Sequence, residues 1–176
     1  MLLCLPVVAQ DCSCDPSNPA TDSNRSCALG AFAAGRNRPP TAKEGDGVLF
    51  IKDNSPEKPN RWLAISTFTS SGFQILDQVP AERRTQLWRE AIAEATRQQG
   101  DKWGLAYNGI RGRSQCHVHI HMSRLIDGVE WGDFVELSDP AQIPQPGRLG
   151  LWLHGSGAGK FHVHTGEMYT ETVLLQ

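Results

Sequence analysis

Residues 117–122 read His-Val-His-Ile-His-Met, and this alternation restricts the fold more than any other stretch of the chain. Side chains on an extended strand point to opposite faces in turn. His117, His119 and His121 then share one face, with Val118, Ile120 and Met122 on the other. The segment therefore needs an apolar layer on one side and an environment for three imidazoles on the other. With six histidines in 176 residues, such a row is rare by chance, and burying it costs free energy unless the rings are hydrogen-bonded.

The rest of the chain supplies elements that could form those layers. Residues 48–51 are a short apolar run closed by Lys52-Asp53-Asn54, and residues 62–68 (WLAISTF) are a second; together they predict a hairpin. From Ala81 to Gln99, Leu87, Trp88, Ala91, Ile92 and Ala95 recur at helical spacing with charged residues between them. Pro80 suits the start of that helix and Gly100 its stop. Strands are predicted at 103–107, 116–123, 149–154 and 161–165, the last two paired across a glycine-rich turn at 155–159. The expected class is α+β, a mostly antiparallel β-sheet with one main α-helix packed on it.

Lys plus Arg number 17 against 19 Asp plus Glu, a net charge of −2. That excludes a broad electrostatic grip on DNA or RNA, so no nucleic-acid partner is expected. No apolar run approaches the roughly 20 residues a membrane-spanning helix needs.

Residues 1–9 (MLLCLPVVA) read as a truncated signal-like segment, apolar and ending in small residues but without a basic start. Residues 10–45, rich in Ser, Asn, Pro and Gly, read as a loosely ordered, Cys-rich lead-in to a domain spanning 46–176. Four of the five cysteines, Cys4, Cys12, Cys14 and Cys27, fall in the first 27 residues. Such a segment cannot build a core of its own, so disulfides and a secreted or periplasmic location are expected. Cys12 or Cys14 pairing with Cys27 is the natural arrangement, and the spacing suits zinc poorly. Cys116 is expected to point to the apolar face as inert packing.

Just before the histidines comes Asn108-Gly-Ile-Arg-Gly-Arg-Ser-Gln-Cys. Gly109 and Gly112 permit a tight, backbone-exposing loop, while Arg111 and Arg113 carry planar forks suited to phosphate oxygens. Ser114 adds a small hydroxyl. Three readings compete. HxH pairs can reach one metal ion; a neutral imidazole can attack phosphorus, its neighbours donating to the non-bridging oxygens; or the strand merely happens to carry histidine. The two arginines would repel a dication and attract a phosphate, which favours the second reading.

The run from His117 to Ser123 resembles the histidine triad signature of nucleotide hydrolases and transferases. Taken with Asn108 and Arg113-Ser114-Gln115, it is similar more narrowly to the CDP-diacylglycerol pyrophosphatase family. The resemblance covers roughly residues 45–125, and the final hairpin more loosely. It implies a HIT-like fold and hydrolysis of a nucleotide-containing pyrophosphate, CDP-diacylglycerol to CMP and phosphatidate being the best match. A soluble nucleotide hydrolase or nucleotidyl transferase is the nearest alternative, and a secreted His-rich metal-binding protein the alternative of another class. Carried over, His119 is the nucleophile, His117 orients it, and His121 donates to the phosphate. Ser114 sits near the bridging oxygen, Asn108 holds the phosphate-side network, and Arg113 and Gln115 contact phosphate, with Arg111 and Lys52 as further candidates. The scheme uses no cofactor or metal. The implied partner is a nucleotide or lipid-nucleotide, with membrane-surface contact if the substrate is lipid. Related folds often dimerise, but these residues leave the oligomeric state open. The chain after the triad is shorter than in the lipid-nucleotide enzymes, which implies reduced acyl-chain contacts.

Two further features are expected to be structural. His162-Val-His164, with His154 across the hairpin, suggests a second active or metal site, but no acidic partner is visible in the turn, so water-facing edge-strand histidines are expected. Phe50, Trp62 and Phe68 could line a base or acyl pocket; as alternating strand residues they fit the core equally well.

Overall fold

The computed structural model describes residues 12–176; the signal-like segment and Cys4 lie outside the described residues. Eight strands form one antiparallel sheet: β1 (Lys43–Glu44), β2 (Val48–Lys52), β3 (Trp62–Ser66), β4 (Trp103–Tyr107), β5 (His119–Arg124), β6 (Val135–Leu137), β7 (Gly150–Gly157) and β8 (Lys160–Glu167). Their order across the sheet is β1-β2-β3-β5-β4-β7-β8-β6. Beside the short helix α1 (Ala28–Ala33) there is one long helix, α2 (Ala81–Gln99). The α+β class and the single main helix are as expected from sequence. No helix among the described residues is long and apolar enough to cross a membrane.

Strand alternation gives the sheet two unlike faces. Val48, Phe50, Ala64, Leu105, Ile120, Met122, Leu151 and Leu153 pack under α2, which contributes Leu87, Trp88, Ala91 and Ala95. Phe50 belongs to this core, and Trp62 and Phe68 pack against it; Phe50 also lines a crevice between β1 and α2 with Glu90 and Glu94. Removing a side chain such as Trp88, which is fully buried, would cost roughly 3–5 kcal/mol. Gly100 ends α2 with φ +60°, a conformation that favours glycine.

The opposite face is covered by the N-terminal lead-in and the C-terminal segment. Leu29 of α1 packs on Leu49, Ile51, Leu63 and Ile65, and Val173 and Leu174 cover Ala106 and Trp152. Residues 12–45 are therefore ordered rather than loose. They gain their core from the sheet; of two disulfides, Cys14–Cys27 closes a loop within the segment and Cys12–Cys116 fastens it to the chain just ahead of β5. The second bond corrects the expectation for Cys116: it is bonded to Cys12, not an inert packing thiol. With Cys12, Cys14, Cys27 and Cys116 all oxidised, the zinc reading of Cys12, Cys14 and Cys27 has no thiolate left among the described residues.

β5 begins at His119, three residues later than expected. The backbone of 116–118 pairs elsewhere: Cys116 N donates to Ser26 O at 2.8 Å, and Val118 N to the buried Gln74 Oε1 at 3.1 Å. His117 thus lies on the approach to the strand, not in it.

Candidate active site

The three histidines are buried, each less than a tenth exposed, and each ring is fixed differently. His119 donates from Nδ1 to the His117 carbonyl at 2.9 Å. That contact puts the proton on Nδ1 and leaves Nε2 as a bare lone pair. No hydrogen bond occupies Nε2 among the described residues, and His119 lines a cleft of about 550 Å³. His117 donates from Nε2 to the Ser66 carbonyl at 2.7 Å. It lies outside the cleft lining, beside Gly30 of α1. Its contribution to His119 is the backbone carbonyl that holds the ring.

His121 packs edge-on to His119, with ring centroids 4.9 Å apart. Its Nε2 lies 3.5 Å from the Asn108 amide Nδ2, and its Nδ1 faces Glu171 Oε2 at 3.6 Å. An amide donor at Nε2 places the ring proton on Nδ1. His121 lines the same cleft as His119, and its Nδ1 has no hydrogen-bond partner among the described residues.

Burial lowers the basicity of all three. His117 is pushed down to about 4, with the Ser66 carbonyl opposing the shift and the Arg113 charge reinforcing it. His119 and His121 lie well below the ordinary histidine value, again through burial first. Charge on His121 and Arg113 adds to the effect at His119, and charge on Arg61, Lys58 and Arg113 at His121. The rings are neutral at neutral pH, the form in which imidazole is a nucleophile.

Asn108 is buried, and its contacts define its work. Its Oδ1 accepts from Glu171 N at 3.0 Å and from Thr170 Oγ1 at 3.2 Å, while Nδ2 donates to Gly112 O at 3.3 Å. It ties the loop before the triad to the 3-10 helix Thr170–Val173. Gly109 and Gly112 are required by the same docking. A Cβ at Gly109 would lie 2.5 Å from Met168 Sδ, and one at Gly112 would lie 2.7 Å from Met168 O. Close approach of the C-terminal segment therefore accounts for both glycines.

The other expected phosphate ligands divide. Ser114 is exposed on the cleft wall, and Lys52 stands at its rim. Arg113 also borders the cleft, but its guanidinium is buried, donates to Gln74 O at 2.5 Å, and lies over the rings of Phe73 and Tyr107. Its charge acts on the site from behind. Gln115 is engaged by the lead-in: Nε2 donates to Arg25 O at 2.8 Å, and Oε1 accepts from Leu29 N at 3.4 Å. Arg111 is exposed and outside the cleft lining.

Sequence reasoning missed the charged floor of the cleft. Glu171 accepts from Lys58 at 3.0 Å and from Arg61, whose side chain is fully buried. These three come from the β2–β3 loop and the chain's last turn, and no local pattern marks them. Also missed was the apolar wall made by Leu29 and Phe32 of α1 with Ile51 and Leu63. The cleft thus joins a neutral imidazole to an apolar side and a rim that carries Arg25, Lys52 and Lys58. It has the composition to hold a molecule that is anionic at one end and apolar at the other.

At the other end of the same sheet face, the second histidine group also departs from expectation. β8 is not an edge strand, because β6 pairs outside it. His154 and His164 are buried, and Glu130 and Glu136 are the acidic partners that the turn sequence did not show. No family model matches this chain, and no curated protein matches it.

Proposed function

We propose that this protein hydrolyses nucleotide-containing pyrophosphates through a nucleotidyl intermediate on His119, with CDP-diacylglycerol as the best substrate. The observation that carries the reading is the pairing of His119 Nδ1 with the His117 carbonyl. It presents an unprotonated Nε2 to a cleft large enough for a nucleotide. In the first step Nε2 attacks the phosphorus bearing the cytidine; the phosphorus–oxygen bond to phosphatidate breaks, and phosphatidate leaves with the bridging oxygen. In the second, water attacks the same phosphorus, the phosphorus–nitrogen bond breaks, and CMP leaves with His119 restored. The sum is CDP-diacylglycerol plus water giving CMP plus phosphatidate.

The remaining groups support these steps by position and charge. Lys52, Lys58 and the charge of Arg113 favour a pyrophosphate, and Ser114 can donate to its oxygens. Asn108 holds the His121 ring beside His119. The wall of Leu29, Phe32, Ile51 and Leu63 suits the glycerolipid or the base. The two disulfides fit a secreted or periplasmic home, where such bonds persist.

The test is turnover of CDP-diacylglycerol by the whole chain and by His119→Ala, with mass analysis of the peptide containing residue 119 after brief exposure to substrate. A nucleotidyl adduct on that peptide and loss of hydrolysis in the variant are expected. Undiminished hydrolysis by His119→Ala overturns the mechanism. Equal turnover of CDP-alcohols or dinucleotides would keep the chemistry and remove the lipid.

A further inference from the structure

Three segments converge on the sheet face far from the triad. His154 on β7 and His162 on β8 are direct cross-strand partners, and Glu130 reaches them from the loop between β5 and β6. One ligand atom from each lies within 4.8 Å of the others. We propose that Glu130, His154 and His162 form a binding site for a divalent transition metal of the zinc class. Nothing in the proposal depends on the hydrolytic reading of the triad.

The outer contacts of the rings present the right atoms. His154 donates from Nδ1 to Gly155 O at 3.1 Å, so Nε2 carries the lone pair. That nitrogen is buried on a residue only 7% exposed, and has no hydrogen-bond partner among the described residues. It faces Glu130 Oε1 at 3.8 Å. His162 turns Nδ1 to the same oxygen at 2.5 Å, while its Nε2 faces Glu136 Oε2 at 3.6 Å. A carboxylate behind a ring that presents its other nitrogen inward is the usual outer support of a metal-bound histidine.

Aromatic packing fixes the rings further. Phe134 stacks on His162 with centroids 3.9 Å apart, and Trp152 lies nearly parallel to His154 at 5.6 Å. Ligands around tetrahedral zinc, at about 2.0–2.1 Å from the ion, lie roughly 3.3–3.4 Å from one another. Closing the 3.8 Å gap and opening the 2.5 Å contact takes a shift of the half-exposed Glu130 side chain, and the two ring nitrogens, already within 4.8 Å, set the remaining edge of the site. Two imidazoles and one carboxylate suit zinc, with a further position open toward a crevice of about 200 Å³ that Glu130 and His154 line. A bound ion would clip the 125–134 loop to β7 and β8.

The test is equilibrium dialysis and titration calorimetry with zinc on the tag-free whole chain, stripped beforehand with a chelator. One zinc per chain is expected, together with a raised melting temperature. Glu130→Gln and His162→Gln should each weaken binding well beyond tenfold, and Glu136→Gln, which removes only outer support, by about tenfold. His119→Ala should bind zinc as the parent does. Absence of saturable binding overturns the site, as does affinity unchanged in all three of the first variants, or lost in His119→Ala alone. Because Glu130 and Glu136 are exposed, their variants keep the test decisive if His162→Gln fails to fold.

Discussion

Acidification should destabilise this protein through its buried imidazoles. His117 has its folded value pushed down to about 4 from an ordinary 6.5. Above 6.5 both folded and unfolded states are neutral at this residue, and it contributes no pH dependence. As pH falls through 6.5 the unfolded chain takes up a proton that the folded ring refuses, so stability declines until about pH 4 and then levels. At about 1.4 kcal/mol for each pH unit between those two values, the loss for His117 is on the order of 3–4 kcal/mol in full. His119 and His121 are shifted the same way by the same burial. All three therefore act in the same direction, each making the folded state less stable as pH falls. The measurement is the urea midpoint and slope from pH 7.5 to 4.5 for the parent and for His117→Gln, whose amide can still donate to Ser66 O. The variant should be less stable at pH 7.5 yet lose less on acidification, its slope between pH 5 and 6 shallower by roughly 1 kcal/mol per pH unit. Identical slopes in the two proteins would refute the reasoning.

Two further outcomes follow from contacts the sequence did not reveal. Glu171→Gln leaves the buried Arg61 guanidinium without its carboxylate. It should cost about 3 kcal/mol in urea unfolding and reduce turnover, since Glu171 also faces His121. Cys12–Cys116 closes a separation of 104 residues and Cys14–Cys27 one of 13. On chain entropy, paired Cys→Ser substitution should cost about 4–5 kcal/mol for the long bridge and about 3 kcal/mol for the short one. Thermal denaturation giving the reverse order would count against that account.

What the sequence determined by itself is whatever short-range periodicity encodes. Alternation at 117–122 assigned Val118, Ile120 and Met122 to the core face and the histidines to the other, and the helical spacing from Ala81 to Gln99 marked α2 to the residue. These follow because a side chain's direction depends only on its position along a helix or strand. Tertiary structure alone decided what each face meets. Cys116 found Cys12, Gln115 found the lead-in, Arg61 found Glu171 110 positions away, and His154 and His162 found Glu130. Periodicity fixes the side on which a residue stands. Its neighbour across space is chosen by the order of strands in the sheet and by the segments that close over it, and neither leaves a local mark in the sequence.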